Sequence, residues 1–299
     1  MLRIATRGSR LARWQAEHVV QLLGAGSEVE YVIVDTVGDR SPETELHRIG
    51  GQGVFVKEVQ HALLEGRADI AVHSAKDLPA SETDGLVLGA FPPRADARDA
   101  LVGRALDDIP TGGHVATGSV RRRAQLANAR PDVVFGPLRG NIETRLRKAA
   151  DFDAIVMAAA ALERLGLADR IAEVLEPRVM LPQVAQGALA VECRVDDTRL
   201  RDRLGVIDDA TTRAEVTCER AFLNALGGGC DLPVGALARA DSGAIAVDAL
   251  LASLDGRIVL RARATGTDPD LTGLAVAHAL VDEHGGRGLL DAHFAESRP

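Results

Sequence analysis

The chain has 299 residues, 46% apolar and 26% charged, with a formal net charge of −8. That length carries two or three domains with real cores, and the composition is that of an ordinary soluble globular protein. Aromatic residues make up only 3%, which argues against a base-stacking platform, and the negative charge argues against a nucleic-acid partner of any kind. No apolar run is long enough to span a bilayer, and the opening "MLRIATRGSR" reads as a strand rather than a secretion signal, so a cytoplasmic location is expected. Three cysteines without CxxC spacing make neither a disulfide framework nor a zinc site; no metal is expected.

In chain order, "LRIAT" (2–6) is a short buried strand. Ser9 is placed to cap a helix carrying Leu11, Trp14, Val19 and Leu22, which stops at Gly24. "VEYVIVD" (29–35) alternates as a strand. "GGQG" (50–53) leads into a helix with a stripe of Phe55, Val59, Ala62 and Leu63 and a stop at Gly66. "ADIAVHS" (68–74) is the next strand and "KDLP" its C-terminal loop. This alternation predicts a parallel α/β sheet. It then repeats: "VATGS" (115–119) before an Arg-rich helix start, "VVFGPL" (133–138) before "RGNIETRLRKAA", "FDAIVMAAAAL" (152–162), and "GALAVEC" (187–193). Pro92 and Pro93 mark one crossing between two α/β units and "LPQVAQG" (181–187) a return crossing, which places a cleft between two lobes. From about Asp209 a long helix, three alternating strands with an Asp255-Gly256 turn and a closing helix predict a small α+β domain. The expected domains are 1–92 with 188–206, 93–187, and 207–299. The sequence shows no internal repeat, low-complexity tract or flexible linker.

Ligands of α/β sheets bind at strand C-termini, and the polar residues fall there. Arg7 and Ser9 follow the first strand, and Lys76 and Asp77 follow "ADIAVHS". Thr117, Ser119, Arg121 and Arg122 follow the strand at 115. Arg139, Asn141 and Arg145 follow the one at 133, and Arg164 the one at 153. Cations converging on one cleft of an acidic protein point to a polyanionic small molecule. Each feature has an ordinary reading beside this one. An arginine run is usually a solvated face, but cations are disfavoured at the positive end of a helix, where "SVRRR" sits. A Lys-Asp pair is usually a weak surface ion pair; at a strand tip before Pro79 it is held in the cleft. His73 is a core or supporting histidine, and Cys193 and Cys218 are packing residues. In "LGGGCDLPVG" (226–235) the glycines and Pro233 put Cys230 in an open turn after a helix, yet locally a helix C-cap containing a small apolar residue explains it as well.

Taken together, "RIATRGSRLA", "VHSAKDLP", "RDALV", "TGSVRRRAQL", "LRGNIETRL", "LPQVAQGALAVECR" and "GGGCDLPVGA" resemble the hydroxymethylbilane synthase (porphobilinogen deaminase) family over nearly the whole chain, weakening after about residue 236. The resemblance implies an enzyme of tetrapyrrole and haem biosynthesis. It joins four porphobilinogen molecules head to tail, with loss of ammonia, on a dipyrromethane cofactor held by a thioether to the matching Cys230. It implies catalysis by Asp77, whose carboxylate accepts pyrrole N–H bonds and stabilises the azafulvenium formed when ammonia leaves. It assigns the cofactor to Lys76, Thr117, Ser119, Arg121, Arg122, Arg139, Asn141, Arg145, Gln186 and Gly187. Substrate carboxylates fall to Arg7, Ser9, Arg139, Arg145 and Arg164. The implied fold is two periplasmic-binding-protein-like α/β lobes joined by two hinge crossings plus a small α+β C-terminal domain, in a monomer. Three positions depart from the family pattern: Gln52 stands where a lysine is frequent, leaving Arg48 as the loop's positive group; Gly118 replaces a serine; and Gly8 replaces a larger polar residue. The loop from about Ser41 to Gln52 is expected to be poorly ordered. Two rival readings are a non-enzymatic anion-binding protein, which leaves Cys230 and Asp77 without a purpose, and a cofactor-free cysteine transferase, which needs a base near the thiol that the local sequence does not supply.

Overall fold

A computed structural model describes residues 1–26, 28–36, 56–227 and 232–296. The expectations for Cys230, Gln52, Arg48 and the 41–52 loop lie outside the described residues. The chain forms two compact units, Met1–Ala95 with Gly187–Arg213, and Asp96–Gln186 with Ala214–Pro299.

In the first unit, β1 (Leu2–Arg7) buries Leu2, Ile4 and Ala5. Helix α1 (Arg10–Leu22) starts where the Ser9 hydroxyl accepts the Ala12 N–H at 3.3 Å, satisfying one of the orphan donors of the first turn. Its buried positions Ala12, Ala16 and Val19 recur at helical spacing. β2 (Val29–Val34) follows, then α2 (Lys57–Leu64), whose Val59, Ala62 and Leu63 are buried, then β3 (Ile70–Ser74) and β4 (Leu86–Ala90). β10 (Leu189–Arg194) returns to this unit to complete a sheet of order β2-β1-β3-β10-β4. β2, β1 and β3 are parallel, and β10 runs antiparallel to both β3 and β4. α1 and α6 (Thr198–Leu204) cover one face and α2 the other.

The second unit repeats this plan. β5 (Asp99–Gly103), β6 (His114–Ala116), β7 (Val134–Gly136), β8 (Ala154–Ala158) and β9 (Ile171–Val174) form a sheet of order β7-β6-β8-β5-β9. β6, β7 and β8 are parallel; β5 is antiparallel to β8 and β9. Helices α3 (Val120–Ala129), α4 (Ile142–Lys148) and α5 (Ala159–Arg164) each follow a parallel strand. In both sheets the antiparallel fourth strand is the one that enters just after the chain passes between units, so its first residues lie beside the C-terminal ends of the parallel strands. Leu189 pairs with Ser74 in one sheet and Asp99 with Ala158 in the other.

The rest of the second unit is α7 (Ala210–Ala225, entered from the first unit at Arg213), an antiparallel sheet β11 (Val234–Asp241), β12 (Ala244–Ala252) and β13 (Val259–Gly266), then α8 (Pro269–His278) and α9 (Arg287–Glu296). The mixed α/β class with a small C-terminal sheet stands as expected. The all-parallel reading of each sheet does not, and the strands at 86–90, 99–103 and 171–174 and the helix at 287–296 lacked a periodic signal strong enough to announce them. Cys193 and Cys218 are fully buried packing residues, and desolvation pushes their thiols up to about 11 and about 12.

One buried carboxylate holds the return crossing to the C-terminal sheet. Glu219 on α7 accepts the Ala185 N–H at 2.6 Å and the Ala238 N–H at 2.8 Å, and Ala185 has φ +60°, a left-handed conformation rare for a residue with a Cβ. Glu219→Ala orphans two buried donors, so it should lower unfolding stability by about 2–5 kcal/mol in a denaturant titration, with Glu219→Gln in between because its amide oxygen serves one of them.

Candidate active site

In the first unit the candidate residues lie along the C-terminal edge of the parallel strands. Arg7 ends β1, half-buried, and Ser9 caps α1. Lys76 and Asp77, both half-buried, form with Ala75 a single 3-10 turn directly after β3. The turn is tied down by the Ala75 N–H on the Ala188 carbonyl at 3.0 Å and the Leu78 N–H on the Ala75 carbonyl. The Ser74 hydroxyl accepts the Gln15 amide at 2.8 Å. Gly187, with φ +87°, opens the path into β10.

In the second unit, Thr117 and Ser119 shape the start of α3. The Thr117 hydroxyl accepts the Ser119 N–H at 3.2 Å, and the Ser119 hydroxyl accepts the Arg122 N–H at 3.4 Å. The next two residues are not a solvated face. Arg121 and Arg122 are only 3% and 6% exposed, and both point to a residue given no role above, Asp99, which is fully buried at the head of β5. Arg121 Nη1 donates to Asp99 Oδ2 at 2.7 Å and to the Leu181 carbonyl at 2.6 Å. Arg122 reaches Oδ1 through Nε at 3.0 Å and Nη2 at 2.7 Å. Gln186, also buried, donates to the same Oδ1 at 2.9 Å and to the Ala97 carbonyl at 2.8 Å. Burial opposes ionisation of Asp99, but the charges of Arg121 and Arg122 and the bonds from Arg121 and Gln186 outweigh it and hold the carboxyl well below the ordinary carboxylate range.

One carboxylate against two guanidiniums leaves a positive charge over. Arg121 Nε and Nη2 are buried without a hydrogen-bond partner among the described residues, a costly state that an incoming anion would relieve. The remaining candidates stand on neighbouring elements of this sheet. Arg139 is half-buried after β7, the exposed Asn141 caps α4 by accepting the Thr144 N–H at 2.9 Å, and Arg145 Nε donates to the Gly140 carbonyl at 2.8 Å. Arg164 ends α5, where desolvation lowers its guanidinium to about 10, still charged at neutral pH. Asp99 lies inside a quoted motif, "RDALV", but its buried partners become visible only once β5 is known to run antiparallel to β8.

These features define an α/β protein with cationic side chains gathered at the C-terminal edges of its parallel strands. Residues 2–202 match the family model described as the porphobilinogen deaminase dipyrromethane cofactor-binding domain, and residues 213–282 the porphobilinogen deaminase C-terminal domain. The chain is 47% identical to a porphobilinogen deaminase of Acidithiobacillus ferrooxidans over 288 residues, 94% of each chain. It is 44% identical to one of Brevibacillus brevis over 293 residues, 95% of each. The chain belongs to the porphobilinogen deaminase family. Similar solved structures include a periplasmic sulfonate-binding protein from Methylobacillus flagellatus (14% identity, TM-score 0.37, 74% of this chain and 66% of that one). Another is a TRAP periplasmic solute-binding protein from Bordetella (13% identity, TM-score 0.38, 71% of this chain and 80% of that one).

Two predictions follow from the arginine cluster and its neighbours. Asp99→Asn should be less stable than the parent at pH 7 by about 3–5 kcal/mol, since it leaves two buried guanidiniums uncompensated. Because the folded-state carboxyl is depressed, the stabilisation is complete above the unfolded value near about 4 and is lost as pH falls through the folded value. The gap between variant and parent, followed by unfolding at stepped pH, should therefore narrow below about pH 4. A Cβ at Gly118 would lie 2.6 Å from the Leu138 carbonyl oxygen, whereas one at Gly8 meets only an ordinary contact at 3.6 Å. Gly118→Ser should accordingly cost about 1–3 kcal/mol in the same assay.

Proposed function

We infer that this chain is a transferase that condenses four porphobilinogen molecules head to tail, with release of ammonia, into linear hydroxymethylbilane on a dipyrromethane primer. The observation that carries the reading is the buried, positively unbalanced Arg121–Asp99–Arg122 cluster with two unpartnered donors, in a segment that matches the cofactor-binding domain. Each pyrrole ring of the cofactor carries an acetate and a propionate, and a cluster short of one negative charge suits such a group. When bound, the dipyrromethane supplies the nucleophilic pyrrole carbon to which the first substrate is joined.

The chain's own residues take the following parts. Arg121 and Arg122, with Lys76, Thr117, Ser119, Arg139, Asn141, Arg145, Gln186 and Gly187, hold cofactor carboxylates. Arg7, Ser9, Arg139, Arg145 and Arg164 hold those of the substrate. Asp77 accepts pyrrole N–H bonds, faces the positive charge left on the substrate as ammonia departs, and carries a proton at its carboxylate oxygen. Cys230 forms the thioether. The functional domains are residues 1–92 with 188–206, residues 93–187, and residues 207–299, the last carrying Cys230, and the enzyme works as a cytoplasmic monomer. No helix among the described residues is long and apolar enough to cross a membrane. A non-enzymatic anion-binding protein would use the arginines equally well but leaves Asp77 and Cys230 without a task.

Peptide mapping of the purified chain should place a dipyrromethane mass on Cys230; an adduct on Cys193 or Cys218 instead would overturn the attachment. Asp77→Asn should keep that mass and lose nearly all turnover of porphobilinogen, roughly a hundredfold or more. Arg121→Leu should instead fail to acquire the mass. Substantial turnover in Asp77→Asn would make this carboxylate structural.

A further inference from the structure

The α2 face of the first sheet is built around the apolar Val59, Ala62, Leu63 and Ala71, with a buried polar trio among them. There Glu192 of β10, 3% exposed, takes the Gln60 amide of α2 on Oε1 at 2.9 Å, and His73 Nε2 of β3 lies 3.2 Å from its Oε2. His73 and Gln60 are each 5% exposed. Burying a carboxylate costs several kcal/mol even when it is partnered, and well-packed apolar residues in such a place are often as stable or more so. Stability alone therefore does not account for the trio, and its position suggests another purpose.

His73 is the last residue but one of β3, four residues before Asp77. Ala188, the residue just before the strand that carries Glu192, supplies the carbonyl that receives the Ala75 N–H. One continuous segment thus grips the chain leading to Asp77 at two points, by a main-chain bond at Ala75 and by the Glu192 side chain at His73. Gln60 in turn fixes the Glu192 carboxylate from the helix above through Oε1, while the imidazole meets Oε2. A group acting on developing charge must be held to within a fraction of an ångström, and a misplacement of about 1 Å costs on the order of a hundredfold.

We propose that Glu192 and His73, with Gln60 behind them, are positioning residues for Asp77, setting the end of β3 and thereby the turn that carries the catalytic carboxylate. The proposal rests on the reading of Asp77 as the catalytic group. The pair touches neither substrate nor cofactor in this scheme. Removing it should lower kcat while leaving KM and cofactor attachment in place.

The test compares Glu192→Gln, His73→Gln and His73→Leu in the cofactor-bearing enzyme, by intact mass, thermal unfolding and steady-state kinetics with porphobilinogen. Glu192→Gln keeps the shape of the side chain and removes its charge. It should retain the cofactor mass and KM within about twofold while kcat falls about ten- to a hundredfold. His73→Gln keeps an N–H donor for Glu192 and should recover part of the kcat that His73→Leu loses. Asp77→Asn is run beside them. If Asp77→Asn keeps its turnover, the assignment of the catalytic group itself fails. If Asp77→Asn is inactive but Glu192→Gln and His73→Leu hold kcat within about twofold, only the positioning role fails. It fails too if Glu192→Gln loses the cofactor mass or folding, or if KM rises in step with the fall in kcat, since the pair then serves stability or binding. Equal losses in His73→Gln and His73→Leu would overturn it as well, since the hydrogen bond to Glu192 would then play no part in placing the turn.

Discussion

The second unit is organised around a single ionised carboxylate. Asp99 is fully enclosed and faces two guanidiniums and an amide. An isolated charge in that place would cost several kcal/mol, and so would each arginine without it. The four groups come from different parts of the chain: the head of β5, the first turn of α3 and the return crossing at Gln186. None can be placed correctly unless the others are. Folding of this unit therefore sets the whole cluster at once, and the arrangement that buries the arginines leaves Arg121 Nε and Nη2 without a hydrogen-bond partner among the described residues.

The two five-stranded sheets show how the plan was reached. Each has a parallel trio and an antiparallel strand introduced by a crossing. In each, the first strand of the parallel trio leads into glycine, serine and a helix capped by that serine: Gly8 and Ser9 after β1, Gly118 and Ser119 shortly after β6. The antiparallel strand matters for chemistry. A parallel strand would deliver its first residue to the far edge of the sheet, whereas β5 and β10 deliver Asp99 and Leu189 to the edge where the polar side chains gather. In one sheet that slot holds the anchor for two arginines; in the other it supports the turn of Lys76 and Asp77.

Much of this was legible in the sequence. Helices with a capping serine and a regular apolar stripe, such as α1, and strands with clean alternation, such as β12, announce themselves because local spacing alone decides which face is buried. The polar residues after β1, β3, β6, β7 and β8 were found by their place at strand ends. What stayed hidden depends on contacts between distant segments. "RDALV" gives no sign that Asp99 meets Arg121 and Arg122, 22 and 23 residues away, and strand direction is not encoded in alternation. His73, read as a core or supporting histidine, is buried, but nothing in the sequence pointed to its partner Glu192, 119 positions on. The repeated α/β pattern was legible without any repeat in the residues themselves, but the shared strand order of the two sheets was not.

The two buried thiols have a practical side. Desolvation raises Cys193 to about 11 and Cys218 to about 12, so at pH 8 only about one part in a thousand of the first, and less of the second, is the reactive thiolate. Both sulfurs are also shut away from reagent by full burial. A mild alkylating probe applied to the native chain therefore sees neither of them. Label taken up by the native chain would then report on the third cysteine, Cys230, and a thioether there would silence it. On the attachment proposed above, the fraction of molecules that take up label without denaturant would count those that were never primed.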